Sequence, residues 1–351
     1  MKILSILTTT LVCFAIVCLG CAQPRTFSVP KPAGALRVMT YNMEWFSEDA
    51  NPKRISNVRE ILADIKPDII GIQEIQSERA ARQFLDSEWT VGLVKENIEF
   101  QNLAIAVRAP YQLVSYDYVF KDRGLEFAFP GNRDVLRAEI KSPGGQNITA
   151  YVIHAKSRRG GRLQTDSQRE MASALLAGYI SRRGDRNVVL MGDFNDAPND
   201  TSAAILASGD VTIKGGARPP FRLLANLTFD LWEKDMVTIG LHEKYFGEES
   251  ALSASVPNAK SENDRLRGIE YRFPQDVSVT QIMFDQIFVS PHLGQAGSRA
   301  SVYTGPAALR GLRGRVTVTN NPDGSRNVVY TEKGTMASDH LPVYADILGL
   351  R

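Results

Sequence analysis

Cysteine is nearly absent: the chain holds three, Cys13, Cys18 and Cys21, all within its first 21 residues. The remainder therefore has no internal disulfide and no thiolate metal site, and its stability rests on a core. Charge of one sign is just as scarce, with 41 Lys and Arg against 39 Asp and Glu for a formal net charge of +2. No whole-molecule field draws the protein to nucleic acid or to an anionic membrane, so any hold on a polyanion is local. Long low-complexity tracts and internal repeats are also missing, which excludes disordered and repeat architectures. What is present, 43% apolar and 23% charged residues over 351 positions, suffices for one large or two ordinary globular domains.

One long apolar run stands at the amino end, from Ile3 to Leu19 behind Met1 and Lys2, broken only by Ser5 and Thr8 to Thr10. It has the form of a signal peptide over residues 1–22. Its end is open to two readings: cleavage after Ala22, or a lipoprotein site at Leu19-Gly20-Cys21 with the lipid on Cys21, although Cys18 stands where such signals usually carry leucine. An uncleaved anchor is a third reading, since ~18 apolar residues suffice to span a bilayer. Each exports the rest of the chain, as a secreted, periplasmic or lipid-anchored protein. Residues 23–35, with Pro24, Pro30, Pro32 and Gly34, are expected as a linker to one domain over 36–351.

From Leu36 onward, apolar runs of strand length alternate with helix-period stretches. Leu36 to Tyr41 is expected as strand, Ile55, Val58, Ile61, Leu62 and Ile65 as one helix face, and Asp68 to Ile72 as the next strand, a βαβ opening. Further strands are expected at 103–107, 135–140, 148–154, 188–191, 283–289, 316–319, 328–331 and 343–348. A helix is expected over Gln168 to Arg182, with Met171, Leu175, Leu176 and Tyr179 on one face and Gly184 closing it. Residues 210–275 show no clear period and read as long loops or an insertion.

Carboxylates, histidines and asparagines cluster where the apolar runs end, and a polar residue just past a strand points into the crevice at the sheet's edge. The first strand leads into Asn42-Met43-Glu44 and the second into Gln73-Glu74. Glu74 lies in an apolar run, a costly place unless something positive such as a metal ion neutralises it; alone, it reads first as a surface carboxylate at a strand end. His154 closes a third strand ahead of Lys156, Arg158, Arg159 and Arg162, cations suited to holding phosphate, although the same stretch also reads as a solvated basic loop. Gly192-Asp193-Phe194-Asn195-Asp196 is more specific. Gly192 permits a sharp exit, and the period of two brings the Asp193 acceptor and the Asn195 amide to one small volume; the bland alternative is an Asx-rich turn. Asp285 interrupts a buried strand and so requires a partner, for which His340 of Ser338-Asp339-His340 is the candidate. A carboxylate that orients an imidazole is a general design for an activated base, and it leaves Asp339 to bind metal.

In chain order, Asn42, Glu74, His154, Asp193 with Asn195, Asp285, and Asp339 with His340 resemble the motif set of the endonuclease/exonuclease/phosphatase (DNase I-like) superfamily over residues 36–348. The resemblance implies an α/β fold, a four-layer sandwich of two packed mixed β-sheets flanked by helices. It implies Mg2+ or Mn2+, one or two ions, on Glu74 and Asp339 with Asn42 nearby, and oxygen donors without cysteine suit a hard cation. His340, held by Asp285, is then the proton acceptor or the stabiliser of charge at phosphorus. Asp193 positions the nucleophile, Asn195 donates to the pentavalent state and His154 is a general acid. Asn42, Lys156, Arg158 and Arg137 become the phosphate-binding residues, Arg137 from the segment 121–137 in which relatives often place a substrate-facing arginine or tyrosine.

The function so implied is an exported metal-dependent phosphodiesterase, first of all a nuclease, with nucleic acid as its partner. A sphingomyelinase-like phospholipase C or an inositol-phosphate phosphatase would use the same chemistry, but Phe221, Trp232, Tyr245 and Phe273 are not spaced as a membrane-binding stripe. A non-catalytic binding protein on this fold would be expected to have lost one of Glu74, Asp193, Asn195, Asp339 or His340, and all five are present. Nothing calls for a protein partner, and a monomer is expected, with a lipid on Cys21 as its alternative attachment.

Overall fold

The computed structural model describes residues 27–94, 101–121, 123–132, 134–158, 162–239, 282–310, 316–320, 322, 326–330 and 335–351. The expected signal segment with its cysteines, Arg159, Tyr245 and Phe273 lie outside the described residues. Strands come in chain order as β1 (Leu36–Phe46), β2 (Ile69–Ile75), β3 (Trp89–Leu93), β4 (Asn102–Arg108), β5 (Gln112–Tyr118), β6 (Leu136–Lys141) and β7 (Asn147–His154). They continue as β8 (Val188–Asp193), β9 (Ala225–Asn226), β10 (Asp285–Val289), β11 (Arg299–Val302), β12 (Val316–Asn320), β13 (Arg326–Tyr330) and β14 (Val343–Ile347). The helices that matter below are α1 (Pro52–Ile65), α2 (Glu78–Ala81), α3 (Arg162–Arg183) and α4 (Thr201–Ser208).

Two six-stranded sheets form, one in the order β11-β14-β1-β2-β4-β3 and the other β5-β6-β7-β8-β10-β9, with β12 and β13 pairing apart from both. The central strands are apolar on both faces because each is covered on both sides. In β2, Ile69, Ile70, Ile72 and Ile75 are all buried, and each such side chain stabilises by about 1.5–3 kcal/mol relative to exposure. Gly71 lies where the sheets face each other closely: a Cβ there would stand 3.0 Å from Cγ of Met191 and 3.1 Å from Cγ2 of Val152. Helix α1 starts at Pro52 behind Asn51, whose side chain accepts from Lys53 N, and lays Val58, Ile61 and Ile65 on the first sheet. Helix α3 covers the second sheet with Ala172, Leu176, Ala177 and Ile180 against Tyr151, Leu190 and Phe288. Its buried face is thus turned from the expected one: Leu176 is common to both, Leu175 and Tyr179 are only partly buried against the same core, and Met171 is exposed. The result is the expected arrangement of two packed mixed sheets flanked by helices.

Residues 27–35 do not hang free as a linker. Val29 N donates to Asp64 O, the carbonyls of Val29 and Pro30 accept from the guanidinium of fully buried Arg37, and the Phe27 ring meets Tyr303 edge-on at 5.6 Å. Strand pairing requires this: Arg37 inside a sheet must have its donors satisfied, and the preceding chain supplies the acceptors. Among the described residues no helix is long and apolar enough to cross a membrane.

Register places the site. The parallel pairs β1–β2 and β7–β8 each run their carboxyl ends to one edge, with Asn42 opposite Gln73 and His154 opposite Asp193. Antiparallel β10 begins at that edge, Asp285 opposite Asp193, and β14 begins there with Val343 opposite Thr40. Close by, Ile239 and Ile282 form an isolated antiparallel bridge through which the chain leaves for residues 240–281 and returns.

Candidate active site

Asn42 ties the two sheets together: its Nδ2 donates to Asp193 Oδ2 at 3.0 Å and to Glu74 Oε1 at 3.3 Å. Glu44 N donates to Asn42 Oδ1 at 2.9 Å, which fixes the amide's orientation. Beyond Asn42 the pairing of β1 with β2 breaks register before resuming at Phe46, and the intervening bulge turns Glu44 (φ 44°) and Trp45 (φ 53°) into the left-handed region. Trp45 N then reaches Glu74 Oε2 at 3.2 Å, while Arg54 of α1 donates to the carbonyls of Met43 and Glu44 and, at 3.2 Å, to Ala337 O. Glu74 (φ 56°) and Asn195 (φ 49°) are left-handed too, so among the described residues four of the six non-glycine residues with positive φ stand at this edge. Such backbone persists where the surroundings impose it, and it collects at functional sites.

Asp193 is the hub. Its Oδ1 accepts from Asn195 N at 2.8 Å, and its Oδ2 lies 3.6 Å from His154 Nε2 and 4.0 Å from His340 Nε2. His154 Nε2 is also 3.7 Å from Glu74 Oε1. The expected pairing of Asp285 with His340 is present, with Nδ1 and Oδ2 2.7 Å apart, so the Nε2 atom faces the cleft. Asp339 follows at 4.0 Å from that same Nε2. Ser338 Oγ donates to Asn42 O at 2.7 Å and accepts from His340 N, which staples the last motif to the first.

These groups perturb each other strongly. Burial, and then the charge of Asp339, push Glu74 up to about 7. Burial raises Asp193 to about 6 against the pull of His340. Burial alone would depress His340, but Asp285, helped by Asp193 and Asp339, outweighs it and holds the imidazole well above its ordinary range. Carboxylates that repel one another at an open edge suit a divalent cation. Among the described residues no three His, Cys, Asp or Glu side chains close into a cage. A pair of carboxylates with room for water and substrate oxygens is the donor set that Mg2+ takes, so Glu74 and Asp339, with Asn42 beside Glu74, fit it.

Three of the expected phosphate contacts are corrected. Arg158 is fully buried: its Nε donates to Asn195 O at 2.8 Å, its Nη2 pairs with Asp196 at 2.8 Å and with Asp200, and its guanidinium lies over the Phe284 ring at 5.2 Å. Arg162 joins the same group, 2.7 Å from Asp200, as does Arg169, 2.7 Å from Asp196. Burial would raise Asp196, yet Arg169, Arg158 and Arg162 hold it below its ordinary value. Arg158 and Arg162 thus neutralise the aspartates after Asn195, and among the described residues no phosphate groove is built from these two. Arg137 points to the outer face, 2.8 Å from Glu139 and 3.8 Å from Asp185, which precedes β8 at the end away from Asp193. Asn195 stands beside Asp193 as expected, but it donates one amide hydrogen to Ala155 O at 3.1 Å and so binds the two loops together. Lys156 lies at the mouth of its loop with Nζ 3.2 Å from Ser157 O. Gly192 is required by close approach, not by a turn: a Cβ there would meet Ile153 O at 2.0 Å. Sequence reasoning missed Arg54 and named Ser338 only as part of its motif, without a role, because their partners are backbone carbonyls and leave no sequence signal.

Facing mixed sheets with a histidine and carboxylate edge define the DNase I-like class of fold. A model of the Endonuclease/Exonuclease/phosphatase family matches residues 39–340, and the chain belongs to that family, whose members are usually hydrolases acting on phosphoester bonds. Comparison with curated protein sequences gives no match. Among solved structures, D. rerio TDP2 complexed with a single strand DNA product is 13% identical, with a TM-score of 0.53 over 90% of this chain and 100% of that one. Truncated Caenorhabditis elegans TDP2 is 15% identical, also at 0.53, over 90% of this chain and 98% of the other. A Bacteroides thetaiotaomicron protein of the endonuclease/exonuclease/phosphatase family is 15% identical at 0.52, over 89% and 97%. At these identities the likeness is one of fold.

Proposed function

We propose that this protein is an exported, divalent-metal-dependent phosphodiesterase that cleaves nucleic acid. The observation that carries the reading is the convergence of His154 Nε2 and His340 Nε2 on Asp193 Oδ2, at 3.6 and 4.0 Å, beside Glu74. Two proton-carrying imidazoles around one carboxylate match what in-line displacement at phosphorus needs. The apolar amino-terminal run supports export, and the relative solved with single-strand DNA supports the substrate class.

When bound at Glu74 and Asp339, Mg2+ or Mn2+ supplies Lewis-acid polarisation of a phosphoryl oxygen and neutralises charge as it develops there. The side chains do the rest. Asp193, raised towards neutrality and aimed by Asn195 N, accepts a proton from the attacking water. His340, kept protonated by Asp285, donates through Nε2 to a phosphoryl oxygen. His154 delivers a proton to the leaving oxygen. Asn42 holds Asp193 and Glu74 in one frame, so the water and the phosphate meet in a fixed geometry.

The test is hydrolysis of double-stranded DNA, single-stranded DNA, RNA, sphingomyelin and inositol phosphates by the protein from Gln23 onward, each with Mg2+, Mn2+ or EDTA. Cleavage of nucleic acid that EDTA abolishes is the expected result. Cleavage of lipid or of inositol phosphates alone would replace the substrate and keep the chemistry, whereas activity undiminished by EDTA would remove the metal.

A further inference from the structure

We propose that Trp45 is a stacking platform for a nucleobase next to the phosphodiester bond cleaved at this site, an inference that rests on the phosphodiesterase reading above. The indole is 49% exposed although its backbone N–H is bonded to the Glu74 carboxylate at 3.2 Å. It therefore projects to solvent from the rim of the site and not from a remote surface. Single exposed apolar residues are ordinary, but this one sits in left-handed backbone (φ 53°) directly after another left-handed residue, Glu44 (φ 44°). For a bulky side chain that conformation is an outlier, and glycine or asparagine would hold the same bulge at less cost. Arg54 clamps the bulge from below through the carbonyls of Met43 and Glu44, so the platform is rigid.

The occupant follows from the surroundings. Of the residues between Asn42 and Asn51, Trp45 alone is an exposed large apolar side chain, since Phe46 is buried, and its polar neighbours Glu44, Ser47, Glu48 and Asp49 are acidic or neutral. That is no surface for a membrane, which requires a wider apolar face and favours basic rims. A single flat indole beside a phosphate-cleaving centre fits a single flat base, and stacking tolerates an acidic neighbourhood because every base offers a π-face. Arg158 and Arg162 are neutralised by Asp196, Asp200 and Asp166, which increases the share of recognition that stacking must provide.

The experiment compares the unaltered protein, Trp45→Ala and Trp45→Phe on a single-stranded oligonucleotide and on the same oligonucleotide with every base removed. Trp45→Ala is expected to lower kcat/KM on the base-bearing strand by roughly tenfold to a hundredfold. Trp45→Phe should restore most of it, and all three proteins should cut the abasic strand at one rate, which also shows that the alanine variant is folded. Equal loss on both strands, or no loss on either, overturns the stacking role. A loss seen only on sphingomyelin vesicles overturns it in favour of a lipid contact. If the unaltered protein cuts neither oligonucleotide, it is the nucleic-acid reading itself that falls.

Discussion

Glu74 is a carboxylate held where its charge is unwelcome. Burial and Asp339 raise it from 4.5 to about 7, a displacement worth on the order of 3 kcal/mol. Because the folded value lies above the unfolded one, the associated stability is fully present below pH 4.5 and is lost as pH rises through about 7. Glu74→Gln removes the charge but leaves one acceptor oxygen for two donors, Trp45 N and Asn42 Nδ2, which offsets about 1 kcal/mol. In cation-free protein the variant is therefore expected to melt higher than its parent well above pH 7, and no higher below pH 4.5. Added Mg2+ should stabilise the parent and leave the variant unmoved, while turnover falls by orders of magnitude. Thermal unfolding across pH with and without the cation reads all of this; a glutamine variant that melts lower at every pH would show that the burden on Glu74 is misjudged.

The site is assembled by loops, and Arg158 is the tie between them. One guanidinium reaches the Asn195 carbonyl, Asp196 and Asp200 and covers Phe284, so it joins the loops after β7 and β8 to the start of β10. Arg158→Ala leaves buried carboxylates short of a cation and is expected to cost about 3–5 kcal/mol in urea unfolding. Its kcat should drop with KM little changed, since Arg158 acts through Asn195 and touches no substrate; a rise in KM at constant kcat would return it to the phosphate. Sequence alone shows four cations after His154 but not the aspartates that meet them, because pairing is a property of folded loops. Strands divide in a similar way. Within the two large sheets, the strands read from the sequence, β1, β2, β4, β6, β7, β8, β10 and β14, are the interior members, whereas β3, β5, β9 and β11 are the four edges; the separate pair β12 and β13 is also expected from the sequence. Interior strands show either a continuous apolar run, as in β4 and β8, or a clean alternation, as in β6 and β14, while edge strands such as Gln112–Tyr118 carry exposed polar residues and lose the signal. The chemistry was legible for the same reason as the interior strands: Asn42, Glu74, His154 and Asp193 end strands whose apolar runs are unmistakable.

At the scale of the whole molecule, neither sheet holds a site by itself. Asn42 and Glu74 come from one, His154, Asp193 and Asp285 from the other, and the loop before β14 closes the ring. A single core between the sheets therefore supports both the fold and the chemistry, and what lies outside that core is free to differ. Ile239 and Ile282 exchange backbone hydrogen bonds at 3.0 and 3.3 Å, the closing pair that a two-residue hairpin turn requires. Replacing residues 240–281 by Asn-Gly is expected to preserve folding and Mg2+-dependent hydrolysis of bis(4-nitrophenyl) phosphate while changing the rates on oligonucleotides and lipids. A shortened protein that fails to fold would place part of the core in that segment. The bridge works as a socket. If the shortened protein folds and cuts, one insert can be exchanged for another at this single point without disturbing the edge that carries the candidate site.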